Sequence, residues 1–137
     1  MRKKLQVDSD LSIVQKTSQD VLSFLEPLKL EEAIVFDIRL CLEEALINAM
    51  KYGNALRKEV PVELDVETTG DEVRITVKDQ GPGFDPKKLE DCTDEKNLLL
   101  SHGRGVYLIH QLMDEVTYNE KGNSLRMVKS LKKKEDH

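Results

Sequence analysis

Glu44 and Asn48 stand four residues apart in Glu44-Ala45-Leu46-Ile47-Asn48-Ala49, so in a helix a carboxylate and a carboxamide share one face, one turn apart. They can share one ligand. Asn48 also continues an otherwise apolar stripe, so its amide needs a partner, because an unpaired buried polar group costs about 1 to 3 kcal/mol. Asp79-Gln80-Gly81-Pro82-Gly83 is a second constellation, placed where a β-rich run gives way to an irregular segment. Two glycines flanking a proline force a sharp path and bring bare backbone close to a flat ligand. Asp79 at the strand end can accept a hydrogen bond from an exocyclic amine such as that of adenine. A third group, Gly103-Arg104-Gly105, comes directly before a helical pattern from Val106 to Met113. Free N–H groups and the positive dipole end of a helix start suit phosphate oxygens, and Arg104 adds a charge. Each motif alone has a plain structural alternative: a solvated helix pair, a turn with Asp as its usual first residue, and an ordinary helix start.

The elements that must hold these residues are written in the periodicity. Lys3 to Val7 alternates apolar and polar residues as a short strand, and Asp8-Ser9-Asp10 is an N-cap cluster for a helix from about Leu11 to Leu25, which Pro27 helps to close. A longer helix is expected from about Leu30 to Tyr52, with Ile34, Ile38, Cys41, Ala45 and Asn48 on one stripe and Gly53 as its stop. Val60 to Glu67 and Glu72 to Lys78 alternate as a hairpin joined by Thr69-Gly70-Asp71. Asp79 to Leu100 loses long periodicity and reads as a lid. A third helix through Val106, Ile109 and Met113 follows, then a closing hairpin of Val116 to Tyr118 and Ser124 to Leu131, turned at Lys121-Gly122-Asn123. Helices grouped against sequentially paired strands predict an α+β fold: a two-layer sandwich with a mixed, mostly antiparallel sheet and helices on one face. Residues 1–131 form one expected domain, and 132–137 a charged tail.

Composition narrows the partners. Of 137 residues, 39% are hydrophobic and 34% charged, a globular balance, and the net charge of −5 argues against a nucleic-acid binder while leaving single nucleotides open. No apolar run approaches the roughly 20 residues of a membrane span, and the Met-Arg-Lys-Lys start runs into alternating Leu5 and Val7 rather than a signal-peptide core; a cytoplasmic location is expected, with no membrane partner. Cys41 reads as a small core residue and Cys92 as a free thiol, since neither has a Cys or His at metal-ligand spacing. His102, His110 and His137 read as structural or solvated.

Taken together, Glu-x-x-x-Asn-Ala on a helix, Asp-x-Gly-x-Gly after a strand and Gly-x-Gly opening a helix resemble the N, G1 and G2 boxes of the GHKL, or Bergerat, ATPases. The resemblance covers Leu30 to Leu131. Within that group the chain is most similar to the stand-alone anti-sigma-factor serine kinases, whose closing segment Met113-Asp114-Glu115-Val116 and the Gly122-Asn123-Ser124 turn also resemble. The resemblance implies that Glu44 is the catalytic carboxylate, Asn48 the Mg²⁺ ligand, Asp79 the adenine anchor, and Gly81 and Gly83 the turn beneath the base. Gly103, Arg104 and Gly105 match the phosphate loop, and Ser124 is expected among the nucleotide-binding residues; Lys51, where it faces the site, can touch a phosphate, its alternative being a solvated helix lysine. Implied with them are ATP and Mg²⁺, phosphorylation of a small anti-sigma-factor antagonist, sequestration of a sigma factor, and a homodimer. Many of these kinases carry His where Tyr52 stands, and Asn48-Ala49-Met50-Lys51-Tyr52 also resembles the corresponding box of sensor histidine kinases. The alternatives are therefore a non-catalytic ATP-binding regulatory module and a detached histidine-kinase ATP domain.

Overall fold

The computed structural model describes residues 1–81 and 103–131. The expected lid from 82 onward, with Gly83, Cys92 and His102, and the tail 132–137 with His137, lie outside the described residues. Strand β1 (Arg2–Val7) leads through a 3-10 turn at Leu11–Ile13 into helix α1 (Val14–Leu25). Asp10 caps this entry, its side chain accepting from the Ser12 backbone N–H at 2.9 Å. A second 3-10 turn, Glu26–Leu28, contains Pro27 and ends at Lys29 in the left-handed region, which turns the chain into α2 (Glu32–Asn48). Strands β2 (Val62–Thr68) and β3 (Glu72–Lys78) follow, then α3 (Gly103–Leu112), β4 (Glu115–Tyr118) and β5 (Ser124–Ser130).

The sheet order is β1-β2-β3-β5-β4, and every ladder is antiparallel. Strict alternation gives the sheet one apolar face. Val62, Leu64 and Val66 of β2, Val73, Ile75 and Val77 of β3 and Met127 of β5 are buried there, against Val21 and Leu25 of α1, Ile38, Leu42, Ala45 and Leu46 of α2, and Ile109 of α3. The opposite face is polar, with Arg2 bridging to Asp65 and Arg74 to Glu72. Helices thus cover one side of the sheet, as the sequence pattern predicts. Among the described residues no helix is long and apolar enough to cross a membrane.

Two expectations need correction at the end of α2. The regular helix spans Glu32–Asn48, and Ala49–Gly53 widens into a π turn rather than continuing to Tyr52 as α-helix. Gly53 is not a left-handed stop: the left-handed residues are Ala55 and Leu56, at φ 52° and 56°, with the Leu56 N–H bonded to the Met50 carbonyl at 2.8 Å. The reason for a glycine at 53 lies across the fold, at Asp79.

Candidate functional site

β3 delivers Asp79. The Asp79 backbone N–H donates to the carbonyl of Asn123 at 2.9 Å, and the Asp79 carboxylate accepts from the Gly81 N–H at 2.8 Å, closing a tight turn on its own side chain. Gly53 packs directly on this carboxylate: a Cβ at 53 would overlap the Asp79 carboxyl carbon and come within 2.6 Å of Oδ1. A Cβ at 81 would likewise overlap the Gly53 carbonyl oxygen and sit 2.8 Å from its carbon. Three bare or carboxylate-bearing positions from two elements therefore form one wall, with no room for side chains at either glycine. Burial pushes the Asp79 carboxyl above its ordinary value, outweighing the Gly81 N–H and the charge of Lys121, which both act the other way.

Glu44 and Asn48 lie on α2, nine and five residues before Gly53 along a helix that continues through the π turn. Both side chains are half-buried, and neither has a hydrogen-bond partner among the described residues. The partner expected for the Asn48 amide is thus not found there; being only half-buried, the amide keeps access to water. The adjacent Glu43 behaves differently, accepting from Ser18 Oγ at 3.2 Å and lying 4.0 Å from Arg39. Of the two neighbouring carboxylates, Glu43 ties α2 to α1 and Glu44 is left available. Lys51 is exposed, its ammonium 5.4 Å from the centre of the Tyr52 ring.

Gly103, Arg104 and Gly105 do not precede α3 but form its first turn. The first N–H groups of a helix have no acceptor one turn back within the helix, so a helix start is donor-rich. The other end of α3 is fastened by Lys129 on β5, whose ammonium donates to the Leu112 carbonyl at 2.7 Å and to Asp37 of α2 at 3.0 Å. Ser124 opens β5 opposite Lys78, one residue from Asp79, with its N–H donating to Asn119 Oδ1 at 3.2 Å.

Sequence reasoning did not find Gly53, Asn54, Asn119 or Asn123 as part of this region. Asn119 Oδ1 also accepts from the N–H groups of Gly122 at 2.8 Å and Asn123 at 3.0 Å, and so shapes the β4–β5 turn that presents the Asn123 carbonyl to Asp79. Asn and Gly in turns are common, and nothing local distinguishes these from any other loop. Cys41 is buried with its thiol pushed up to about 12 by desolvation, an inert core residue as expected. Among the described residues no cluster of three or more His, Cys, Asp or Glu could hold a metal ion by itself.

Residues 7–129 match the family described as histidine kinase-like ATPase domain. Serine-protein kinase RsbW of Staphylococcus epidermidis is 35% identical over 107 residues, covering 72% of this chain and 67% of that protein. The Staphylococcus aureus protein of the same name, from strain MRSA252, is 32% identical over the same shares. Among solved structures, the RsbU and RsbW domains of a Mycobacterium tuberculosis protein superpose with a TM-score of 0.65 at 14% identity, over 95% of this chain and 31% of that one. The mycobacterial sensor histidine kinase MprB superposes with a TM-score of 0.56 at 13% identity, over 95% of this chain and 97% of that one. At such identities the two structures speak for the fold alone.

Proposed function

The chain belongs to the anti-sigma-factor serine kinases among the histidine kinase-like ATPase domains, and on that premise we propose that it transfers the γ-phosphoryl group of ATP to a serine of a small antagonist protein and also holds a sigma factor. The observation that carries this reading is the Asp79 carboxylate packed on Gly53 and fixed by the Gly81 N–H, a half-buried acceptor held at the end of β3. Adenine meets this acceptor with its edge, offering the exocyclic amine to Asp79. Gly83, outside the described residues, is assigned to the base site by the family motif, and Ser124 lies at the same end of the sheet as Asp79. The donor-rich first turn of α3, with Gly103, Arg104 and Gly105, suits the phosphates. Lys51 adds a positive charge on the α2 side.

Glu44 takes the serine proton as the hydroxyl oxygen bonds to the γ-phosphorus and the bond to the β-phosphate oxygen breaks, leaving phosphoserine and ADP. Its lack of a protein partner among the described residues supports a role toward substrate, and favours an enzyme over a passive nucleotide module. Asn48 fits a hard divalent ion: its half-buried carboxamide is free of hydrogen bonds among the described residues, and Mg²⁺ takes most of its oxygens from phosphates and water. Mg²⁺ held there would neutralise phosphate charge. Identity to proteins named serine kinases supports a serine acceptor over a histidine. A single domain over residues 1–131, a cytoplasmic location and a homodimer complete the reading, and the net charge of −5 speaks against direct nucleic-acid binding.

Single-turnover transfer from γ-labelled ATP to candidate antagonists, beside nucleotide titration, tests the assignment. Glu44→Gln keeps size and reach but cannot take a proton, so transfer should fall about 10²- to 10⁴-fold with ATP affinity little changed. Equal, small changes in both would remove Glu44 from the chemistry.

A further inference from the structure

Asp79 is held at two successive peptide groups by two different parts of the fold. Its own N–H is fixed by the Asn123 carbonyl at the start of β5, at 2.9 Å. The next N–H, that of Gln80, donates to Asn54 Oδ1 at 2.8 Å. With both peptide groups tied, the backbone at Asp79 between them is held, and its carboxylate lies folded back onto the Gly81 N–H and against Gly53.

Asn54 is itself immobilised. Its side chain is buried, with the residue 4% exposed, and its amide nitrogen donates to Ser9 Oγ at 3.0 Å and to the carbonyls of Val60 and Pro61 at 3.1 and 3.2 Å. Ser9 in turn donates to the Val60 carbonyl at 2.5 Å. The carboxamide therefore links the end of β1, the approach to β2 and the exit of α2 on its nitrogen side, and presents one oxygen to the Asp79 turn. A residue needed only to close the loop before β2 would have no reason to spend that oxygen on Gln80. Aspartate at 54 would keep the acceptor and lose the donors; leucine or alanine would lose both.

We propose that Asn54 is a positioning residue for base selection, acting through the Gln80 N–H to aim the Asp79 carboxylate. This rests on the reading of Asp79 as the adenine acceptor. The geometry predicts that selectivity for adenine over guanine depends on the Asn54 oxygen, while the nitrogen side of the same amide serves stability alone.

The test compares ATP with GTP by calorimetric titration of the full chain, each variant measured well below its own melting temperature. Asn54→Ala should cut the ATP-to-GTP affinity ratio about tenfold or more, toward that of Asp79→Asn. Ser9→Ala, which removes a bond from the nitrogen side only, should lower the melting temperature and keep the wild-type ratio. Asn54→Asp should also melt lower yet keep most of the ratio; if Asn54→Ala does not fold, Asn54→Leu, which also lacks the oxygen, takes its place and should show the same loss of ratio. An unchanged ratio in Asn54→Ala, or a ratio lost equally in Asn54→Asp or Ser9→Ala, overturns the positioning role while Asp79 stands. A ratio unchanged in Asp79→Asn overturns the reading of Asp79 itself, and the role of Asn54 with it.

Discussion

Asp79 sets function against stability within one side chain. Burial raises its carboxyl above the ordinary value, so the folded chain holds this proton more tightly than the unfolded chain does. The stability that follows is fully present below the unfolded carboxylate range and is lost as pH rises through the raised folded value; at neutral pH the ionised group is a net cost. Asp79→Asn can still accept from the Gly81 N–H but carries no charge to desolvate. It is expected to melt at the same or a higher temperature than wild type at pH 7, to lose stability more steeply as pH falls because the stabilising proton uptake is gone, and to bind ATP more weakly with less discrimination against GTP. Thermal melts across pH beside titrations of both nucleotides check this; a lower melting temperature at pH 7 would remove the desolvation argument. In wild type, ATP affinity should decline as pH falls through the same raised value, because the protonated carboxyl is a poorer acceptor.

Helix α3 is positioned from its far end. Lys129 reaches from β5 to the last carbonyl-rich turn of α3 and to Asp37 on α2, with side-chain exposures of 14% for Lys129 and 22% for Asp37. Lys129→Met keeps the apolar stem and strands both acceptors, for an expected loss of about 1 to 3 kcal/mol, the partial exposure keeping it below the cost of breaking a fully buried pair. Urea unfolding measures it, and adding Asp37→Asn to the variant should recover part of the loss if the pair is coupled. Elements were the most legible scale in the sequence. The alternation in β2 and β3 survived as strands because one face is apolar and the other wet, so a shift of one residue would bury Glu63 or Arg74. The π turn was not legible, because Ala49 to Tyr52 keep a helical pattern and only packing widens it. The contacts of Gly53 and Asn54 with the turn after β3 were hidden for a related reason: they join residues far apart in the chain, and no local spacing encodes them. Glu44, Asn48, Asp79 and Gly81 were singled out by the joint order and spacing of their motifs, since each motif alone has an ordinary structural reading.

Across the whole molecule, α2 is the beam on which α1, α3 and the sheet all rest. Leu46 is fully buried near its C-terminal end. Leu46→Ala should cost about 2 to 5 kcal/mol, seen as a lower urea midpoint with an unchanged slope, since the surface exposed on unfolding hardly changes. The sheet order has a different kind of consequence. β5 sits between β3 and β4, so the last-made strand of the sheet is also an inner one. During synthesis on the ribosome, β1, β2 and β3 can pair in sequence, but the partner of β3 does not exist until residues 124–130 emerge. Until then Val73, Ile75 and Val77 lie on an open edge, ready to pair with any other extended chain. Glu72, Arg74 and Lys78, alternating with them, place charge on that temporary edge, so the residues that face water in the finished sheet also guard the nascent one.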